Sequence, residues 1–187
     1  MKCYYQTKYT LQSQQIVNQM QKLKNYDEDT FLHSIRTARI ATQIGKGVNL
    51  LPNEIITLTT AALLHDIGKM YIPIEILNKN GKLTDKEFDV IKKHPTLGAE
   101  YLAKNGFNTT IQRIVYEHHE NFDGTGYPNQ KHYDQIHKLS RILRIADTFD
   151  AMQSKRVYKT QIPLNIIYQE LQHDKGHCYD PQIVQCL

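Results

Sequence analysis

The feature that most constrains this chain is the run from Ile55 to Leu64, apolar or threonine at every position, which ends without a break in His65-Asp66. Pro52 opens the segment, as proline suits the first turn of a helix, and so apolar a helix must lie centrally, covered on most faces by other elements. An acid at the end of such a helix is costly to bury unpaired. Asp66 therefore requires a cationic partner, and a metal ion is the economical one.

The surrounding sequence has helical periodicity almost throughout and lacks alternating runs bounded by hairpin turns, so an all-α fold is expected. A Gln-rich opening stretch, about Tyr4 to Lys24, carries Leu11, Ile16, Met20 and Leu23 at helical spacing and reads as a helix packed on the body. The next helix starts in Asp27-Glu28-Asp29, acids suited to a positive helix N-terminus, and is expected to stop at Gly45 and Gly47. His33 lies on it. Thr84-x-x-Glu87 is a capping-box pattern that starts a helix which His94-Pro95 should close or kink. Helices follow from Thr96 to Lys104, stopped by Gly106, and from Asn108 to Glu120, with His118-His119 at its end. After the turn-rich Asn121 to Pro128, Lys138 to Met152 reads as a helix bearing Asp147. Pro163 starts another and Asp180-Pro181 a short last one.

At 187 residues the chain has the length of one domain with a sizeable core. Residues 1–26 are expected to form an N-terminal helical extension and 27–187 a single core, with no separate sensory domain before it. No apolar stretch approaches the roughly 20 residues of a membrane span, and the N-terminus lacks the apolar core of a secretory signal, so a cytoplasmic protein is expected. Three cysteines without a C-x-x-C pair disfavour both a disulfide framework and a thiolate metal site. A net charge of +4 from interspersed residues does not demand long nucleic acid, but a few cations in one cleft would suit a small anionic ligand.

Among the nine histidines, His33, His65, His94, His118 and His119 fall with Asp66 and Asp147 at helix ends or on helix faces that packing could bring together. Imidazole and carboxylate without thiolate suit Fe, Mn, Zn or Ni, and seven ligands exceed what one ion takes, so two or more ions are implied. Successive residues in mid-helix diverge by about 100°, a conflict that a helix end relaxes for both His65-Asp66 and His118-His119. Asp66, with two oxygens, is placed to bridge neighbouring ions.

Taken in order, His33, His65-Asp66-Ile67-Gly68-Lys69, His94, His118-His119-Glu120, Asp123-Gly124-Thr125-Gly126-Tyr127-Pro128 and Asp147 resemble the HD-GYP family of the HD-domain phosphohydrolase superfamily. The resemblance runs from about Asp29 to Val184 and includes the segment RILRIADTFDAM. It implies an all-α HD-domain helical bundle with a di- or trinuclear site, usually of iron or manganese, and hydrolysis of cyclic di-GMP to linear pGpG or on to GMP. Carried over position by position, His33, His65, Asp66, His94, His118, His119 and Asp147 become the metal ligands. Asp29, one helical turn before His33, stands where some members place an acidic ligand to a third ion, although Asp reaches less far than Glu and equally suits a helix start.

Lys69 is assigned to substrate phosphate and, with Asp66, to catalysis. Gly126, Tyr127 and Pro128 are expected to shape the pocket wall, with Tyr127 against a guanine base. Arg156 and Lys159 match the basic segment that holds the ligand's phosphates, Arg156 through paired hydrogen bonds. The stretch after Pro128, NQKHYDQIHKLS, lacks the glycines and proline common in the family, and Tyr179 replaces its usual Phe. Three readings stay open: a cyclic di-GMP phosphodiesterase, an HD hydrolase for another cyclic dinucleotide such as cyclic GMP-AMP or a nucleotide, and an inactive binding module. Any of them is compatible with a homodimer or a signalling-protein partner.

Overall fold

Caps written into the sequence set where the helices begin. In the computed structural model, which describes residues 2–154 and 162–187 with side chains from residue 13 onward, Asp27 accepts from the Thr30 amide and starts α2 (Glu28–Gly47) immediately after α1 (Lys2–Tyr26). Pro52 lies in the first turn of α3 (Pro52–Leu64). Thr84 and Glu87 form the expected capping box of α5 (Asp85–Ile91), and Asn108 caps α7 (Thr109–Glu117). Asp180 caps the short α10 (Pro181–Val184), and Pro163 precedes α9 (Leu164–His173). The long α8 (Lys138–Ser154) carries Asp147.

Among the described residues there is no strand, only isolated bridges between Asp123 and His132 and between Lys175 and Tyr179. The fold is all-α, as periodicity required. None of the described helices is long and apolar enough to cross a membrane.

The core forms where α2 packs on α3 and α8, and α7 on α3 and α6. Leu58, Ala61, Leu64, Ile114, Ile142 and Ile145 are fully buried there. The C-terminal half of α3 is central, but Ile56 near its start is half exposed. Helix α1 joins the body as expected: Met20 and Leu23 enter the core, and the Tyr26 hydroxyl donates to the Ile72 carbonyl.

Two local expectations are corrected. Gly45 does not stop α2 but lies buried within it, where a Cβ would stand 2.9 Å from Ile55 Cδ1; it is small because α3 crosses there. His94-Pro95 opens α6 (His94–Lys104), with proline in its first turn, instead of closing the preceding helix. A 3-10 helix, Ile67–Tyr71, and a single turn, α4 (Ile74–Leu77), lie between α3 and α5, where the sequence reading names no element. The 3-10 helix matters most, because it turns the chain sharply after Asp66 and directs Lys69 back toward it.

Candidate metal centre

Three of the histidines are set by one repeated local device. His65 and His118 sit in helical conformation just past the last turns of α3 and α7, and His94 opens α6 directly after α5. In each case Nδ1 donates to the carbonyl three residues back: His65 to Ala62 at 2.8 Å, His94 to Ile91 at 2.7 Å, His118 to Val115 at 2.6 Å. A carbonyl can only accept, so Nδ1 carries a proton in each ring, and in the neutral ring Nε2 presents the lone pair through which imidazole ligates a metal.

These lone pairs converge. Ligand atoms of His33, His65 and Asp66 lie within 4.8 Å of one another, and so do those of His94, His118 and His119. Asp66 connects the two groups: its Oδ2 is 3.3 Å from His65 Nε2 and 3.6 Å from His33 Nε2, while its Oδ1 is 3.2 Å from His94 Nε2. Asp147 spans them from α8, with Oδ1 2.9 Å from His33 Nε2 and Oδ2 3.9 Å from His119 Nδ1. All seven residues expected to ligate metal therefore meet in one pocket. Both successive pairs diverge too little to separate, as the helix-end argument required; the His118 and His119 rings lie only 4.1 Å apart.

The set fits divalent cations on its own chemistry. His65 Nε2 and Asp66 Oδ1 are buried without a hydrogen-bond partner, which is unfavourable unless a cation takes up both. His94 Nε2 and His118 Nε2 face each other at 3.2 Å, a poor contact for two lone pairs but the separation that two nitrogens about 2.1 Å from one ion adopt at near 100°. Burial favours neutral forms throughout and, with the neighbouring imidazoles, holds His118 and His119 well below the usual histidine range. For His65 burial is outweighed by the Asp66 and Asp147 carboxylates, which push it up to about 10, so that without a cation Nε2 holds a proton that a metal ion would displace. Asp66 and Asp147, despite burial, are held well below the usual carboxylate range by these partners, and Asp66 also by Lys69.

Lys69 is mostly buried and places Nζ 2.7 Å from Asp66 Oδ2. Its pKa is raised because Asp66 outweighs burial, so it is an ammonium at neutral pH. Tyr127 stacks on His119 with ring centroids 4.8 Å apart and planes at 29°, and its amide donates to the His119 carbonyl. Gly126 is obligatory there: a Cβ would lie 2.2 Å from the Asn121 nitrogen and 2.5 Å from the His119 oxygen. The Tyr127-Pro128 peptide is cis. Asp29 is exposed in the first turn of α2 and belongs to neither ligand group. Arg156 and Lys159 lie outside the described residues.

Several residues of the site were missed from sequence. Asp150, one turn beyond Asp147, is fully buried and accepts His33 Nδ1 at 2.7 Å and Arg36 Nε at 2.8 Å, fixing the His33 ring as a carboxylate does behind a metal-bound imidazole. The D-x-x-D spacing on one helix face was the available signal. Asp150→Ala is expected to weaken metal affinity by about 10–100-fold, read by competition with a chelator; affinity equal to wild type would remove this role.

Glu117 and Glu120, flanking the histidine pair, face away from the cluster and clamp the loop. Glu117 accepts from Arg113, Lys131, the His137 amide and Ser140, and Glu120 from the amides of Asn129 and Lys131. Against burial, these donors hold Glu117 below its ordinary 4.5. A depressed folded-state pKa stabilises above the unfolded value and that stability is lost as pH falls through the folded one. The stability difference between wild type and Glu117→Gln should therefore be full at pH 7 and shrink below about pH 4.5, as read by urea unfolding across pH. A pH-independent difference would contradict the clamp.

A bundle whose helix ends deliver histidines and paired aspartates to one buried point defines a class, and the HD-domain family model matches residues 10–183. The chain belongs to the HD-domain family. It is 36% identical over 174 residues to a cyclic di-GMP phosphodiesterase of Vibrio cholerae, covering 85% of this chain and 35% of that protein. It is 37% identical over 161 residues to the 3'3'-cGAMP-specific phosphodiesterase 2 of the same organism, covering 85% and 31%. Among solved structures, the HD domain of the L. monocytogenes phosphodiesterase PgpH superposes with a TM-score of 0.68 at 17% identity over 90% of this chain and 92% of that one. The chain thus spans about a third of these two curated relatives' length, and nearly all of an HD domain.

Proposed function

We propose that this chain is a metal-dependent phosphodiesterase that opens cyclic di-GMP to linear pGpG. The observation that carries the proposal is the pair of ligand groups joined through the two oxygens of Asp66. His33, His65, Asp66 and Asp147 would hold one divalent ion and His94, His118, His119 and the second oxygens of Asp66 and Asp147 another; the donors suit Fe, Mn, Zn or Ni, and the resemblance to the HD-GYP family implies Fe or Mn among these. When bound, two such ions supply Lewis-acid polarisation of a phosphoryl oxygen and lower the pKa of the attacking water. The two-group arrangement supports two ions; Asp29, exposed one turn from His33, would have to turn inward to serve a third.

The chain's own groups do the rest. Lys69, an ammonium beside Asp66, offsets the negative charge that builds on the phosphoryl group and can give a proton to the departing ribose 3′ oxygen. Water adds to phosphorus, the P–O3′ bond breaks, and the products are a 5′ phosphate and a free 3′ hydroxyl. Tyr127, braced on His119, forms the wall against which a guanine base stacks, between Gly126 and Pro128. Arg156 and Lys159 are assigned to the second phosphate. In this reading residues 27–187 form one catalytic unit with residues 1–26 docked on it.

Relatives named as 3'3'-cGAMP-specific phosphodiesterases raise one second reading, hydrolysis of cyclic GMP-AMP by the same site. Incubating metal-reconstituted protein with cyclic di-GMP, cyclic GMP-AMP and cyclic di-AMP, and separating the products by chromatography, decides between them. Fastest conversion of cyclic di-GMP to pGpG is the expected result; faster opening of cyclic GMP-AMP would move the assignment to that substrate, and no conversion of any would overturn it.

A further inference from the structure

Arg144 stands one turn before Asp147 on α8 and was given no role by the sequence motifs. Its guanidinium forks onto a single acceptor, with Nε and Nη2 each 3.1 Å from Asn121 Oδ1, and Nη1 donates to Thr148 Oγ1 at 2.7 Å. It lies 5.6 Å from the centre of the Tyr179 ring. Among the described residues no carboxylate lies within 4 Å of it, so this half-buried charge is spent on neutral acceptors.

Asn121 is the first residue of the loop that leads to Tyr127. Its Nδ2 donates to Thr125 Oγ1 at 3.0 Å, and Thr125 donates in turn to Asp123 Oδ1 from both its amide and its hydroxyl. Gly126, next along, packs against the Asn121 nitrogen too closely to admit a Cβ. Arg144 thus ties the helix that carries Asp147 to the loop that carries Tyr127, while Glu120 holds the far side of the same loop through Asn129 and Lys131.

We infer that Arg144 and Asn121 form a staple that sets the position of Tyr127 over His119 and so governs how tightly the base of a cyclic dinucleotide is held. Arg144 is a positioning residue, acting on substrate through the loop. The inference rests on the phosphodiesterase reading above, in which Tyr127 meets a base. A fork onto one amide oxygen needs two N–H groups in a plane, which lysine lacks, so charge alone cannot replace it.

The test compares wild type with Arg144→Ala, Arg144→Lys and Asn121→Ala in two measurements. Hydrogen–deuterium exchange over residues 121–128, which needs no turnover, should be faster in all three variants, with metal content unchanged. The KM for cyclic di-GMP should rise by about tenfold or more, while kcat changes less. Exchange equal to wild type in Arg144→Ala and Asn121→Ala, or full recovery of KM by Arg144→Lys, would overturn the staple. Hydrolysis of bis(p-nitrophenyl) phosphate by metal-loaded wild type reports the metal chemistry without a base, so its failure would count against the phosphodiesterase reading and leave the exchange result to judge the staple.

Discussion

Asp66→Asn should lower phosphodiester hydrolysis by about three orders of magnitude or more and leave the protein with fewer than one tightly held metal ion. The substitution preserves the volume of the side chain and removes the charge that both ligand groups share. Asp66 is the one residue whose two oxygens face His33 and His65 on one side and His94 on the other, so its loss weakens both positions together. Removing a group that stabilises developing charge typically costs about 10²–10³-fold, and loss of the cations compounds it. Lys69 loses its carboxylate partner in the same step and no longer has an anchor for its ammonium. Elemental analysis and product chromatography on the same preparation read the two effects, with circular dichroism to confirm the helical fold. An Asp66→Asn protein that kept two ions would contradict the bridging role.

The second large effect is on stability. A Cβ at Gly68 would lie 2.0 Å from the His94 carbonyl oxygen, 2.5 Å from the Gly98 nitrogen and 3.0 Å from its Cα, all backbone atoms of α6 that no rotamer change can move aside. Gly68→Ala must therefore push α6 away from the 3-10 helix, at a cost of about 3 kcal/mol, the upper range for overpacking. For a chain of this size that corresponds to a fall in Tm of roughly 6–12 °C. Because His94 opens α6, the same displacement moves a proposed ligand, and metal affinity should fall with stability. Thermal unfolding by calorimetry, with and without added manganese, reads both. A Tm within 2 °C of wild type, on the same about 2–4 °C per kcal/mol scale, would show that the close approach is not a constraint.

Gly68 also shows why parts of the architecture were legible in sequence and others were not. Helices with local signals were found from those signals: Thr84-Glu87 forms the expected capping box, and Asp27, Asn108 and Asp180 cap helices where the sequence marked their starts, because capping is a short-range interaction between residues two or three apart. Gly45 looks like a stop signal by the same local logic. Its smallness instead answers to Ile55, Leu50 and Leu58 packing across from α3, which no local rule contains. His94-Pro95 was ambiguous for a related reason, since proline ends one helix and begins the next with equal ease.

The proposed ligand set could be picked out because histidines and acids at helix ends are unusual enough to be counted. The partners that orient it were not. Asp150 looked like any polar residue on the surface of a helix until α2 brought His33 and Arg36 against it. Glu117 and Glu120 seemed close to the cluster by sequence, yet both turn toward the loop and satisfy backbone and cationic donors there. The direction a side chain takes at a helix terminus depends on what the loop offers it.

The central claim is that His33, His65, Asp66 and Asp147 on one side, and His94, His118 and His119 on the other, cage neighbouring divalent cations. Anomalous diffraction at the manganese edge, from crystals of manganese-reconstituted protein, tests it most directly. The account predicts two peaks roughly 3.5–4 Å apart, with Asp66 between them. A single peak elsewhere on the surface, or none in protein that binds no manganese in solution, would contradict it.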